Sequence, residues 1–162
     1  MQSRLVLAGA VVGALMVAAC GSAAQSTASA SPSTQPSPSP AANGTTIAVA
    51  SNAKLGQILV DAAGKTLYLF VADTGSSSTC YTTCAQIWPP VLTSGPPQAG
   101  TGAMASLLGT TTRTDGKTEV TYAGHPLYYF VQDKATGDAT GQGVNGFGGL
   151  WWVVSPSGAA VH

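Results

Sequence analysis

Cys80 and Cys84, separated by three residues, pose the first chemical question. Two thiols this close in an oxidising compartment form a disulfide. Closing so short a loop removes about 2 kcal/mol of unfolded-state entropy when strain is small. The same Cys-x-x-x-Cys spacing can also present two thiolates to one soft metal such as copper, or serve as a redox couple, with a distant His125 or Met104 as a further ligand. The neighbours Ser76-Ser77-Ser78-Thr79 and Thr82-Thr83 carry no charge to depress a thiol pKa. A structural disulfide is the expectation, and redox or copper handling is the rival.

Other chemistry is poorly supplied. His125 and His162 are the only histidines, so a three-His zinc site is excluded and His125 is the single plausible base of a Ser-His-Asp triad. No Gly-x-Ser-x-Gly elbow is present. Gly141-Gln142-Gly143-Val144-Asn145-Gly146 spells a dinucleotide fingerprint, but Phe147-Gly148-Gly149 and a tryptophan segment follow where a helix would be needed. Asp133, Asp138 and Asn145 offer oxygen ligands in a spacing that matches no EF-hand loop. No cofactor, resident metal or catalytic residue is expected. A glycan-cleaving enzyme would need two facing carboxylates about 5–10 Å apart, and Asp73 with Asp133 is the pair to inspect.

Those two aspartates close an internal repeat. Val60-Asp61-Ala62-Ala63-Gly64-Lys65-Thr66-Leu67-Tyr68-Leu69-Phe70-Val71-Ala72-Asp73 matches Val120-Thr121-Tyr122-Ala123-Gly124-His125-Pro126-Leu127-Tyr128-Tyr129-Phe130-Val131-Gln132-Asp133 in register, and a tryptophan segment follows each, Trp88 and Trp151-Trp152. In a strand Tyr68 and Phe70 share one face while Leu67, Leu69 and Val71 share the other, which predicts a central strand covered on both sides. Asp73 stands at the strand end, where its carboxylate can accept N–H groups of the next loop. Two readings stay open: the aromatic rings fill the core and the aspartates cap turns, or the two Tyr/Asp pairs form a ligand site near a pseudo-twofold axis.

The elements that would position these residues read as short strands over residues 46–50, 57–60, 66–72, 107–113, 117–122, 127–132 and 150–155. A rigid, edge-like piece, Trp88-Pro89-Pro90-Val91-Leu92, follows a long loop through the cysteines. Asp115-Gly116 marks a hairpin, and residues 103–108 allow one helical turn. The expectation is a single all-β domain over residues 45–162, built from two pseudo-symmetric repeats of antiparallel hairpins at about 55–93 and 115–158.

The N-terminal part gives an address. Met1-Gln2-Ser3-Arg4 is a short basic start, and residues 5–19 are an uncharged apolar run ending at Cys20. As a helix that run covers only about 22 Å of a bilayer core about 30 Å thick, which suits a cleaved signal peptide over residues 1–19 better than a permanent span. Val17-Ala18-Ala19-Cys20 resembles the lipobox of bacterial lipoprotein precursors, and this resemblance implies a diacylglycerol on Cys20. Residues 20–44 then hold Ser, Ala, Thr, Pro and Gln without a charge, the composition of a disordered stalk. Only 7% of residues are charged and the net charge is zero, so no basic stripe exists for nucleic acid.

Tyr68-Leu69-Phe70-Val71-Ala72-Asp73 and Tyr128-Tyr129-Phe130-Val131-Gln132-Asp133 resemble a known family, predicted lipoproteins with tandem secreted repeats and a Tyr-x-[Phe/Trp/Tyr]-x-x-Asp motif, whose function is not established. Cys80-x-x-x-Cys84 with Trp88-Pro89-Pro90, Gly124-His125-Pro126-Leu127-Tyr128 and Gly148-Gly149-Leu150-Trp151 are also family-like, and the resemblance extends over roughly residues 55–158. It speaks to membership and hardly at all to activity. The functional expectation is a non-catalytic lipoprotein at the extracytoplasmic face of the bacterial cell membrane. Its partners would be the membrane, through the lipid, and an envelope protein or cell-wall ligand.

Overall fold

A computed structural model describes residues 44–162, so the expected leader, Cys20 and nearly all of the stalk lie outside the described residues. Its first element, β1 (Thr46–Asn52), folds back on β2 (Gly56–Asp61) in antiparallel register from Ile47 opposite Asp61 to Asn52 opposite Gly56. Next come β3 (Tyr68–Phe70), a short helix α1 (Thr83–Ile87), and β4 (Gln98–Ala99), which runs parallel to β1. A 3-10 turn at Ala105–Leu107 leads into β5 (Leu108–Thr112), β6 (Thr118–Tyr122), β7 (His125–Pro126), β8 (Asn145–Gly146) and β9 (Gly149–Val153). They form three small sheets of order β2-β1-β4, β3-β9-β8 and β5-β6-β7, an all-β architecture.

Local chemistry explains the departures from expectation. The strand predicted over 66–72 stops at Phe70, because the Asp73 N–H returns to the Phe70 carbonyl at 3.1 Å and the chain turns. Val71, expected on a covered face, is therefore 56% exposed. The strand predicted over 127–132 does not form: pairing ends with β7, just before it, and within it only Tyr128 makes isolated bridges, to Tyr68 and to Pro90. Pro89, Pro90 and Pro126 lack the N–H groups a continuous ladder would need there. Helix α1 was not anticipated. It closes the loop through the cysteines, and the Trp88 N–H caps it on the Cys84 carbonyl at 2.7 Å. The Asp115-Gly116 hairpin forms with a left-handed φ at Gly116 alone, and the Arg113 N–H reaches the Lys117 carbonyl at 2.9 Å.

The two repeats interlock. The Leu67 N–H donates to Leu59, the Val154 N–H to Leu67, and the Leu59 N–H to Val154, at 3.1, 3.1 and 2.8 Å. The same ring of bonds recurs as Leu127 to Val120, Val91 to Leu127 and Val120 to Val91, at 3.0, 2.8 and 2.8 Å. Each hairpin is thus completed by the tryptophan segment that follows the other repeat. At the centre Tyr68 and Tyr128 exchange both backbone bonds at 2.9 Å, so the pseudo-twofold axis passes between them.

Alternation then sorts the side chains into two cores. Tyr68, Phe70, Tyr128 and Phe130 join Trp88, Trp151, Cys80 and Cys84 in one. Leu67, Leu69 and Leu127 join Ile47, Leu59, Val91, Val120, Tyr122 and Val154 in the other. Strand β3 is covered on both faces, as its sequence implied, whereas Val71 and Val131 beyond the two motif cores are exposed.

Candidate functional site

The aromatic residues of the motif build a ladder across the pseudo-twofold axis. Trp88 and Trp151 lie face to face, centroids 4.0 Å apart and planes inclined by 4°. Phe70 stacks on the outer face of Trp151 at 4.0 Å, and Phe130 on that of Trp88 at 4.2 Å. Tyr68 meets Trp88 edge-on at 5.3 Å, and Tyr128 meets Trp151 edge-on at 5.1 Å. Offset stacking and edge contacts of this kind add about 0.5–1.5 kcal/mol per pair beyond simple burial.

The hydroxyls of the motif cross between repeats. Tyr68 donates to Asp133 Oδ2 at 2.6 Å, and Tyr128 donates to Asp73 Oδ2 at 2.7 Å. The second oxygen of each carboxylate binds its own following loop: Asp73 Oδ1 accepts the Thr79 N–H and hydroxyl, and Asp133 Oδ1 accepts the Thr140 N–H and hydroxyl. Burial, then the hydrogen bond and charge of Asp133, push the Tyr68 hydroxyl far above the usual tyrosine range. Burial and then the charge of Glu119 do the same for Tyr128. Both phenols are protonated donors at any physiological pH. The structure therefore brings Tyr68, Phe70, Asp73, Tyr128, Phe130 and Asp133 together, with each aspartate tied to its loop and to the opposite tyrosine.

One half carries an addition that the sequence reading missed. Arg113, though charged, is buried, and its Nη1 meets Glu119 Oε2 at 2.7 Å and Ser78 Oγ at 2.8 Å. Its Nη2 donates to the Cys80 carbonyl at 2.7 Å, and the Tyr81 ring lies 4.4 Å from its guanidinium carbon. Ser78 Oγ also bonds the Tyr128 hydroxyl at 2.7 Å, so the ion pair is wired into one Tyr/Asp pair. Ile58 holds the position of Glu119 in the other half, as the matching bonds of Leu59 and Val120 show. Burial pushes the Glu119 carboxyl up to about 7 despite Arg113, and its Oε1 has no hydrogen-bond partner. Charged residues at adjacent hairpin positions read as surface, so the available signal was their rarity in a chain with only 7% charge.

The remaining candidates are placed elsewhere. Cys80 and Cys84 form a disulfide, and both are buried beside Trp88 in the aromatic core. His125 pairs in register with Tyr122, whose hydroxyl accepts the Met104 N–H at 3.0 Å; neither His125 nor Met104 belongs to the cysteines' core. His162 packs edge-on to Trp152 at 4.6 Å. Asp138 accepts the N–H groups of Lys134 and Ala135, which hold its carboxyl below the ordinary value. In the glycine-rich loop a side chain at Gly141 would strike Trp88, and Gly143 adopts a φ of +70°, so these glycines answer to packing and turn geometry. Among the described residues, no group of three or more His, Cys, Asp or Glu is placed to hold a metal ion. No helix among them is long and apolar enough to cross a membrane.

Compared with known proteins, the chain matches no curated protein and no solved structure. A family model described as a secreted repeat of unknown function matches twice, at residues 49–92 and 109–155, together more than half of the chain. Each match spans one hairpin, its tyrosine–aspartate motif and the tryptophan segment that the hairpin exchanges with its counterpart, and the chain accordingly belongs to this secreted-repeat family.

Proposed function

We propose that the chain is a non-catalytic lipoprotein of the bacterial cell envelope. A lipid on Cys20 holds it at the extracytoplasmic face of the cell membrane, and the β domain serves in binding or in envelope structure. One observation carries the reading of the domain: both oxygens of each motif aspartate, and both motif hydroxyls, are engaged with one another or with their own loops. The groups that a hydrolase would aim at substrate are instead closing the fold. The lipobox-like Val17-Ala18-Ala19-Cys20 and the family's secreted character support the address.

Growth of the native host with an alkyne-tagged fatty acid tests it. The chain is expected in the membrane fraction with the tag on Cys20, and Cys20→Ala is expected to lose tag and membrane retention together. Recovery of an unlipidated chain from the cytosol overturns the address. Turnover of purified envelope glycan that disappears in Asp73→Asn or Asp133→Asn overturns the non-catalytic reading.

A further inference from the structure

Beyond filling space, the aromatic core has the parts of an electron relay. Three of the five tyrosines donate their hydroxyl to a carboxylate: Tyr68 to Asp133, Tyr128 to Asp73, and Tyr129 to Asp61 at 3.1 Å. A phenol joined to a base loses an electron more readily than a free phenol, because its proton can pass along the existing hydrogen bond as the electron leaves. Two parallel indoles in contact share a positive charge and so are easier to oxidise than one. Trp88 and Trp151 are such a pair, 1% and 0% exposed, and each carries the edge of a carboxylate-bonded tyrosine.

We propose that this core is a one-electron relay in which the Trp88–Trp151 stack gives an electron to a strong one-electron oxidant, such as a peroxyl radical or a high-potential metal complex, and Tyr68 or Tyr128 refills it. In the refilling step the tyrosine O–H bond breaks. The electron goes to the indole cation, and the proton goes to Asp133 Oδ2 or Asp73 Oδ2. The oxidant ends one electron richer, the indoles return to their starting state, and a neutral tyrosyl radical remains beside a protonated aspartate. A one-electron reductant of the ene-diol or thiol class then gives an electron to the tyrosyl radical, the aspartate returns its proton to the phenol oxygen, and the reductant leaves as its own radical after losing a proton to solvent. The activity is independent of lipid attachment and adds a chemical role to a domain otherwise read as non-catalytic.

The test is laser flash oxidation of the full chain with photogenerated ruthenium(III) tris-bipyridine, followed by transient absorption and freeze-quenched electron paramagnetic resonance. The wild type is expected to show a tryptophan radical decaying into a tyrosyl radical, more slowly in deuterated buffer. Tyr68→Phe/Tyr128→Phe is expected to prolong the tryptophan radical by about tenfold, and Tyr81→Phe to leave it unchanged. Asp73→Asn/Asp133→Asn is expected to slow tyrosyl formation by about tenfold. A wild type that shows no tryptophan-to-tyrosine transfer, or transfer insensitive to deuterium, overturns the proposal without recourse to any variant. A tyrosyl signal undiminished in a folded Tyr68→Phe/Tyr128→Phe chain overturns it equally.

Discussion

The hydroxyl of Tyr68 donates to Asp133 Oδ2 at 2.6 Å, so the motif of the first repeat is completed by a carboxylate of the second. A hydrogen bond to an ionised acceptor contributes about 1.5–3 kcal/mol net. Tyr68→Phe is expected to lower stability by that amount. A double-mutant cycle with Asp133→Asn should return a coupling of at least about 1 kcal/mol, and the cycle with Asp73→Asn a coupling near zero. Chemical denaturation of the four chains in each cycle gives the comparison. Stronger coupling of Tyr68 to its own repeat's Asp73 would show that the crossing is not what holds the halves.

Glu119 makes stability depend on pH in an unusual direction. Its carboxyl is pushed up to about 7 by burial, while the unfolded value is 4.5. Between these values the folded chain binds more protons than the unfolded one. The contribution of this group is therefore fully present below pH 4.5 and is lost as pH rises toward about 7. The full loss is on the order of 3 kcal/mol. Thermal denaturation between pH 5 and pH 8 is expected to show the decline. Glu119→Gln, which keeps an oxygen for Arg113, is expected to flatten it. A wild-type profile that rises across this window would contradict the assignment.

How far the sequence foretold this arrangement depends on the interaction. The two-residue period of Leu67, Tyr68, Leu69 and Phe70 shows directly which side chains share a core, because a strand leaves no other choice. It does not show where the strand stops, which is why Val71 was misplaced. The repeat was legible as similarity, but similarity cannot say whether Val91 joins the hairpin before it or the one after it. That choice is made by tertiary packing around Trp88 and Trp151. Arg113 and Glu119 were invisible for another reason: buried and exposed ion pairs look the same in sequence, and it is the carbonyl of Cys80, the hydroxyl of Ser78 and the ring of Tyr81, all distant in sequence, that make burial tolerable here.

The Cys80–Cys84 disulfide closes a short loop whose Cys80 carbonyl also accepts a bond from Arg113. Loop closure of this size contributes about 2 kcal/mol, so Cys80→Ser/Cys84→Ser is expected to fold with stability reduced by that amount in urea titrations. Thiol titration of the native chain should find neither cysteine free. Reversible reduction without loss of structure, or stoichiometric Cu(I) retained by the wild type and lost in the double serine variant, would revive the redox or copper reading.

Two glycines of the Gly-x-Gly-x-x-Gly run separate packing from ligand binding. A Cβ on Gly141 would stand 2.7 Å from Trp88 Cη2 and 3.0 Å from Tyr68 Cε1, inside the aromatic ladder. The same atom on Gly146 meets nothing within 4 Å, and Gly146 has no left-handed φ. Overpacking a filled core costs about 1–3 kcal/mol, so Gly141→Ala is expected to fall in that range and to disturb the near-ultraviolet circular dichroism of the stacked indoles. Gly146→Ala is expected to stay within about 0.5 kcal/mol of wild type, with its spectrum unchanged. A phosphate cradle would place its demand on the whole run, whereas packing places it on Gly141. Equal destabilisation by the two substitutions would mean that the ladder is not what holds Gly141 in place.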